Sequence, residues 1–190
     1  ARIVAARVPG FGMKRCPGDT ATQTVIYMDS SVPPFNDVRV RRAVSMAIDR
    51  KFIREKLWLG YGHPSPHVWT ETMPYGLAMS DLPAKTQEYY QHNPSEARKL
   101  LAEAGYPNGL DTTFIYTLQW GEPFNSATEA VLSMLGEVGI RAKPNIVEYS
   151  RYVELVYQRT YPPGQMARGV ALWSTPEYSY ALQNFWTKGS

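Results

Sequence analysis

The chain has 190 residues, of which 44% are hydrophobic and 19% charged, and its formal net charge is +3. A chain of this length and apolar content can bury its own core, so the composition predicts a single folded domain over residues 1–190 and excludes a disordered chain. One cysteine, Cys16, excludes an internal disulfide framework and a cysteine-based zinc site, and no apolar run reaches the ~18 residues that a membrane span needs.

The first third of the chain predicts one strand followed by two capped helices. Apolar and polar residues alternate over residues 22–28, which is typical of a strand. After an irregular stretch at Pro33-Pro34, Asp37 predicts the N-cap of a helix that ends near Ile48, and Asp49 predicts the cap of a short second helix. Residues 37–56 also carry seven basic and three acidic side chains. This excess is either the solvated face of the two helices or a surface that contacts nucleic-acid phosphates.

Residues 60–90 show no sustained hydrophobic period and are rich in Gly and Pro, so they predict a long loop. Such a loop either binds a ligand or is a surface excursion held by its own aromatic side chains. His63 and His67 lie four residues apart in it, which on a helix would place both rings on one face. Pro64 and Pro66 exclude that helix, so no metal site is predicted.

The second half of the chain alternates helices and strands. Asn93, Pro94 and Glu96 predict the capping box of a helix that Gly105 ends, and a strand is expected over residues 112–118. Ser126 and Glu129 predict a second capping box.

The order of the remaining elements indicates the fold class. A strand over residues 140–147 follows the second helix, and a strand–helix–strand order is the signature of parallel strands joined by a crossover. Ser150 predicts the cap of a last helix through about Arg159, and residues 168–173 predict a closing strand. We therefore expect an α/β fold, a mixed or parallel sheet with helices on both faces.

The sequence holds no recognisable catalytic constellation. The sequence contains no phosphate-binding glycine loop, no Gly-x-Ser-x-Gly motif and no histidine that can be paired with Cys16. No catalytic residue, metal or cofactor is predicted. The unusual feature is aromatic, because Trp120 and Trp173 each follow a predicted strand, where open α/β sheets bind ligands. These rings either pack under loops or form the surface of a small-solute pocket.

Four motifs, in order, resemble those of extracellular solute-binding protein family 5, the oligopeptide, dipeptide and nickel receptors of bacterial ABC importers. They are PPFNDVRVRRAVSMAIDR at residues 33–50, LGYGHP at 59–64, NPSEARKLLAEAGYPNG at 93–109 and LGEVGI at 135–140. Trp173 falls where this family ends a strand with Trp. The resemblance covers about residue 22 to the end of the sequence.

The resemblance implies a lobe of the periplasmic-binding-protein-like II type. The chain would be part of the second lobe of a two-lobed receptor whose first lobe is absent here. The implied ligand is a peptide or other small solute, and the implied partners are the missing lobe and the permease subunits, with no nucleic acid. The implied location is periplasmic or extracellular, with a lipid anchor on the full-length protein left open. A non-transport signalling receptor and a hydrolase acting through His63 or His67 are the alternatives.

The resemblance also suggests ligand-binding residues. In peptide-binding members the strand-terminal Trp is followed by an Asp that takes the α-amino group of the ligand. Here STPEYSY follows Trp173, so Glu177 and Tyr178 replace the Asp-Tyr pair with one residue inserted. Arg159 and Arg168 lie near positions where the oligopeptide receptors carry arginines. With the aromatic residues, the predicted set is Trp120, Arg159, Arg168, Trp173, Glu177 and Tyr178.

Overall fold

The computed structural model describes residues 22–60 and 78–172. It contains a four-stranded sheet in the order β1-β4-β2-β3. The strands are β1 (Thr22–Met28), β2 (Leu110–Tyr116), β3 (Ile140–Ile146) and β4 (Met166–Leu172). The predictions at Cys16, His63, His67, Trp173, Glu177 and Tyr178 lie outside the described residues.

The sheet is mixed. β2 runs parallel to both β3 and β4, and β1 pairs with β4 in the antiparallel sense. Leu110 lies opposite Ile140 in the β2–β3 pair, and the helix between these strands connects them as the sequence predicts. The parallel crossover is therefore confirmed.

Helices of very different length connect the strands. They are α1 (Val38–Ala47), α2 (Arg50–Phe52), α3 (Ala84–Glu88), α4 (Pro94–Glu103), α5 (Phe124–Glu137) and α6 (Tyr149–Tyr152). A π-helical turn continues α2 over Ile53–Leu57, and another continues α6 over Val153–Tyr157. A short 3₁₀ turn spans Met79–Asp81. None of the helices in the described ranges is long and apolar enough to cross a membrane.

Both faces of the sheet are covered, as expected for the α/β class. Successive strand residues point to opposite faces of the sheet. Phe114 and its neighbour Ile115 therefore lie in two different buried clusters. The larger cluster surrounds Phe114 on the α5 face, and the smaller one packs Ile115 against α6 and its π turn. The larger cluster is built on Phe35, Val40, Leu101, Phe114, Leu135, Ile140 and Met166. The smaller one contains Ile115, Tyr152, Leu155, Val156 and Ala167.

Three helix starts are confirmed at the level of the capping side chain. Asp37 accepts a hydrogen bond of 2.8 Å from the Arg39 amide, and Asp49 accepts one of 2.8 Å from the Phe52 amide. The side chain of Asn93 caps α4 by accepting from the Glu96 amide at 3.1 Å. The backbone amide of Asn93 donates to the carbonyl of Met46 at 2.9 Å, so it joins α4 to α1 instead of closing the predicted capping box.

Two other predicted caps are wrong. α5 begins at Phe124, directly after Pro123, and the hydroxyl of Ser126 donates to the Glu122 carboxylate at 2.5 Å. Proline fits the first turn of a helix because it has no amide to satisfy there, which moves the start upstream of Ser126. α6 begins at Tyr149, after Glu148, so Ser150 lies inside the helix.

The predicted loop over residues 60–90 and one strand boundary also need correction. The part from residue 78 onward contains the 3₁₀ turn and α3, which were missed because neither is long enough to show a hydrophobic period. β2 spans Leu110–Tyr116 instead of residues 112–118, so the chain leaves the sheet two residues earlier. Thr117 and Leu118 consequently belong to the loop that follows β2.

Several basic side chains of residues 37–56 are bound within the chain itself. Arg41 donates to the Phe35 carbonyl at 2.6 Å, and Arg50 donates to the Ser45 carbonyl at 2.8 Å. The guanidinium of Arg42 lies 4.3 Å from the centre of the Tyr89 ring. These contacts favour a structural role for the basic stretch over contact with nucleic-acid phosphates.

Candidate functional site

The loop after β2 places Trp120 at the carboxyl end of a central parallel strand. A hydrogen bond of 3.0 Å from the Gly121 amide to the Leu118 carbonyl closes the turn that carries the indole. The Trp120 ring meets the Tyr149 ring edge to face, with 5.9 Å between the ring centroids. The indole nitrogen is buried and makes no hydrogen bond to the rest of the described chain. It is thus a buried donor without a partner among the described residues, near the strand ends where α/β proteins bind ligands.

Tyr149 is a neighbour of Trp120 that the sequence interpretation missed. It begins α6 just after β3, is 40% exposed, and stacks on the buried Tyr152 with a centroid distance of 6.3 Å. The rule that selected Trp120, an aromatic residue shortly after a strand, applies equally to Tyr149. Leu118, in the loop after β2, and Ile146, the last residue of β3, are also about half exposed, at 48% and 53%. We call these four side chains (Leu118, Trp120, Ile146 and Tyr149) the carboxyl edge.

Arg168 is a buried cation on β4. It has 0% exposure and shares its sheet face with Met166, next to the first turn of α5. Its guanidinium donates to the carbonyls of Thr117 and Phe124 and to the hydroxyl of Thr128, at 2.7, 3.1 and 2.8 Å. Burial lowers the pKa of Arg168, and no carboxylate among the described residues forms an ion pair with it. Neutral oxygen atoms therefore solvate this charge.

Arg159 lies on the other face of the sheet. It follows the π turn after α6, is exposed, and has a positive φ of 55°. Its charge opposes the effect of burial on the pKa values of Tyr27 and Tyr161, which are both raised. Both tyrosines pack against the smaller cluster, on the face opposite the Arg168 guanidinium. The structure thus brings Arg168 to the Trp120 loop, whereas the tyrosines that Arg159 influences lie on the opposite face of the sheet.

A buried tyrosine joins α6 to the backbone of β4 near this loop. The hydroxyl of Tyr152 donates to the carbonyl of Arg168 at 2.7 Å, and Tyr152 itself is fully buried. Burial, with the nearby Tyr157, raises the pKa of Tyr152. Tyr149 rests on this ring, so one hydrogen-bonded tyrosine supports an exposed aromatic residue of the carboxyl edge.

The fold and the motifs agree with one family. The family model described as "Bacterial extracellular solute-binding proteins, family 5 Middle" matches residues 13–189. The chain belongs to this family. The resemblance that the four motifs suggest is therefore confirmed.

Curated family 5 relatives are named as binding proteins. The chain is 28% identical over 162 residues to heme-binding protein A of Haemophilus influenzae, which covers 78% of this chain and 26% of that protein. It is 30% identical over 170 residues to a glutathione-binding protein of Shigella flexneri, covering 84% of this chain and 30% of that protein. The chain thus spans less than a third of the length of these relatives.

Solved structures confirm the fold class. An ABC transporter substrate-binding protein from Sinorhizobium meliloti superposes with a TM-score of 0.70 at 20% identity, covering 95% of this chain and 35% of that one. A periplasmic binding protein from Helicobacter pylori in complex with the peptide STSA gives a TM-score of 0.66 at 21% identity. The match covers 85% of this chain and 29% of that protein.

The described part of this family 5 chain offers aromatic surface and one indole donor at the carboxyl edge. Within residues 22–60 and 78–172, no group of three or more His, Cys, Asp or Glu side chains is arranged to hold a metal ion. Trp173, Glu177 and Tyr178 stay predictions, because they lie outside the described residues.

Proposed function

We propose that this chain is part of the second lobe of the substrate-binding component of an ABC importer. In this proposal it captures a peptide or similar small solute between two lobes, outside the cytoplasmic membrane, and delivers it to permease subunits. The observation that carries the proposal is the family 5 match over residues 13–189. The relatives named for heme and glutathione binding support a solute-binding role and not a catalytic one.

The solute would lie against the carboxyl edge. Trp120 and Tyr149 present rings at right angles, with an interplanar angle of 80°, and such a corner can hold an apolar or planar group of a ligand. The indole N–H of Trp120 is buried without a partner among the described residues, so a ligand carbonyl or carboxylate that reached it would satisfy this donor. In this proposal Glu177 supplies a carboxylate for an ammonium group of the solute, and Trp173 and Tyr178 supply aromatic contacts.

A single lobe supplies only part of the contacts that a closed cleft makes. Closure around a solute is stabilised only by contacts that form in the closed state, and half of these belong to the other lobe. The chain spans 26% and 30% of its relatives, so we place that lobe in the unmatched part of a longer protein. We therefore expect the 190-residue chain alone to bind no solute detectably.

Calorimetry tests this function. The longer protein and the 190-residue chain are titrated with a di- to tetrapeptide panel, glutathione and heme. We expect the longer protein to bind one class at micromolar concentrations, and Trp120→Ala to weaken this binding about tenfold or more. Tyr106→Ala is the matched control, because it removes a partly buried aromatic ring before the start of β2, away from the carboxyl edge. No binding by the longer protein, or equal affinity in Trp120→Ala, would contradict the proposal.

A further inference from the structure

One side chain holds both ends of the loop that carries Trp120. We call residues 118–123 the Trp120 loop; Thr117 precedes it and Phe124 follows it. The Nη2 atom of Arg168 donates to the Thr117 carbonyl at 2.7 Å, and Nη1 donates to the Phe124 carbonyl at 3.1 Å. These two acceptors lie 51 and 44 residues from Arg168 in the sequence, so a distant strand ties the loop to the sheet.

We call the two hydrogen bonds from Arg168 to the Thr117 and Phe124 carbonyls the clamp. Their geometry suits a guanidinium. Arginine presents its donors in a rigid planar fork, so one group can bind two carbonyls at once, whereas an ammonium group acts as a point charge. Thr128 reinforces the contact, because its hydroxyl accepts from Nη1 of Arg168 at 2.8 Å and donates to the Phe124 carbonyl at 2.9 Å. Arg168 is fully buried, so water does not compete for these bonds.

Among the described residues, the other hydrogen bonds of the loop are local. The Gly121 amide donates to the Leu118 carbonyl at 3.0 Å, and the Asn125 amide donates to the Gly121 carbonyl at 3.1 Å. The side-chain amide of Asn125 also donates to the Leu118 carbonyl, at 3.2 Å. These bonds shape the loop and connect it to α5, but they do not connect it to β4. Arg168 supplies that connection.

We propose that Arg168 is a positioning residue that holds the Trp120 loop, and that it does not itself contact the solute. Its two terminal nitrogens are occupied by oxygen atoms of the chain, and its remaining nitrogen, Nε, is buried. A solute could reach the guanidinium only by displacing the loop. This inference rests on the proposed function, because positioning matters only if Trp120 contacts a solute.

Arg168→Lys tests the clamp in the 190-residue chain without any solute. Lysine keeps the positive charge but presents one terminal nitrogen in place of the two that bind the Thr117 and Phe124 carbonyls. We expect amide hydrogen exchange at Gly121 and Asn125 to become about tenfold faster, because the opening of the loop no longer breaks two charged hydrogen bonds. The ¹⁹F resonance of 5-fluorotryptophan at position 120, assigned with Trp120→Phe, should shift and broaden at the same time.

A second variant and a control make the outcome decisive. Thr128→Val removes one acceptor of Arg168 and keeps the cation, so it should give a smaller increase in exchange at Asn125, even if Arg168→Lys does not fold. Arg98→Gln is the matched control, because Arg98 donates to the Glu137 carbonyl at the far end of α5. Exchange at Gly121 and Asn125 should be unchanged in it. Unchanged exchange in folded Arg168→Lys or in Thr128→Val, or an equal increase in Arg98→Gln, would overturn the proposal.

The clamp and the proposed function fail in different experiments. Unchanged exchange and an unchanged ¹⁹F signal in the Arg168 variant refute the clamp and leave the titration results standing. Absence of binding to peptides, glutathione and heme refutes the proposed function and leaves the exchange result standing.

Discussion

The ring of Tyr27 lies directly against the Cα atom of Gly169 on the neighbouring strand. A Cβ atom at position 169 would come within 2.1 Å of Cε2 of that ring, which is far inside van der Waals contact. Gly169→Ala should therefore force Tyr27 out of the smaller cluster or separate β1 from β4. We expect the free energy of unfolding to fall by about 1–3 kcal/mol, the usual cost of overpacking, as measured by urea unfolding.

Gly136→Ala is the control for this substitution, because it should raise the free energy of unfolding instead of lowering it. Gly136 lies in α5, and a Cβ atom there meets nothing within 4 Å. Alanine is a better helix former than glycine by about 0.8–1.0 kcal/mol, so this variant should be more stable than the parent. Equal stability of Gly169→Ala and the parent chain would show that Tyr27 does not occupy this place.

The loss of folding stability in acid should depend in part on Asp37. The hydrogen bonds from Arg39 lower the pKa of Asp37 to about 2, below the ~3.9 of a free aspartate. A carboxyl group with a lowered pKa in the folded state stabilises the fold above its unfolded pKa. That contribution is lost as the pH falls from about 5 towards 2. Asp37→Asn keeps a capping side chain but does not titrate, so it isolates this contribution.

Urea unfolding of the parent chain and Asp37→Asn at a series of pH values provides the measurement. The parent should be the more stable of the two at pH 7, and most of this difference should be lost by pH 2. Glu88→Gln serves as the control, because Glu88 is an exposed residue of α3. A stability difference between parent and Asp37→Asn that stays constant from pH 7 to pH 2 would contradict the assignment.

Local signals predicted much of this fold. The caps at Asp37, Asp49 and Asn93 depend on side chains that reach amides two or three residues away, so the sequence alone contains them. The start of α5 was misplaced because two competing signals, Pro123 and Ser126, lie three residues apart, and the rigid proline sets the start.

The candidate site was less predictable, because it depends on contacts between distant residues. No local pattern indicates that Arg168 reaches both Thr117 and Phe124. Nor does one indicate that Arg159, nine residues earlier, lies on the other face of the sheet. Strand alternation gives the face of a residue only after the strand boundaries are known, and β4 begins two residues before the predicted strand.

Replacing Leu59 by glycine should make the folded chain more stable. It has a positive φ of 51° and is 59% exposed, so its side chain gains little from burial. A residue with a Cβ atom costs about 1–2 kcal/mol in the left-handed conformation, whereas glycine loses roughly 0.5–1 kcal/mol more chain entropy on folding. We expect Leu59→Gly to raise the free energy of unfolding by about 0.5 kcal/mol.

Thermal unfolding with Val38→Gly as the control checks the effect of Leu59→Gly. Val38 is an exposed apolar residue in the first turn of α1, where glycine should instead destabilise the helix. A lower melting temperature for Leu59→Gly than for the parent would show that Leu59 makes a stabilising contact.

Tyr152→Phe should remove a buried hydrogen bond. It should also reduce the loss of folding stability at alkaline pH. The lost bond from the Tyr152 hydroxyl to the Arg168 carbonyl should cost about 1 kcal/mol at pH 7, with the melting temperature falling accordingly. The pKa of Tyr152 is raised by burial, so its protonated form stabilises the fold fully below the unfolded pKa of about 10. That contribution declines as the pH rises above this value, because the unfolded chain then ionises first.

Unfolding curves at pH 7 and at pH 11 separate these two effects. The parent should lose more stability than Tyr152→Phe between the two pH values, so the variants converge in alkali. Tyr106→Phe is the matched control, because Tyr106 is only partly buried and packs against the larger cluster on the other face of the sheet. Because Tyr152 holds both the Arg168 backbone and the ring of Tyr149, its substitution should also broaden the Trp120 ¹⁹F resonance. An equal pH dependence in the parent and Tyr152→Phe would mean that the phenol ionises as readily in the folded chain as in the unfolded one.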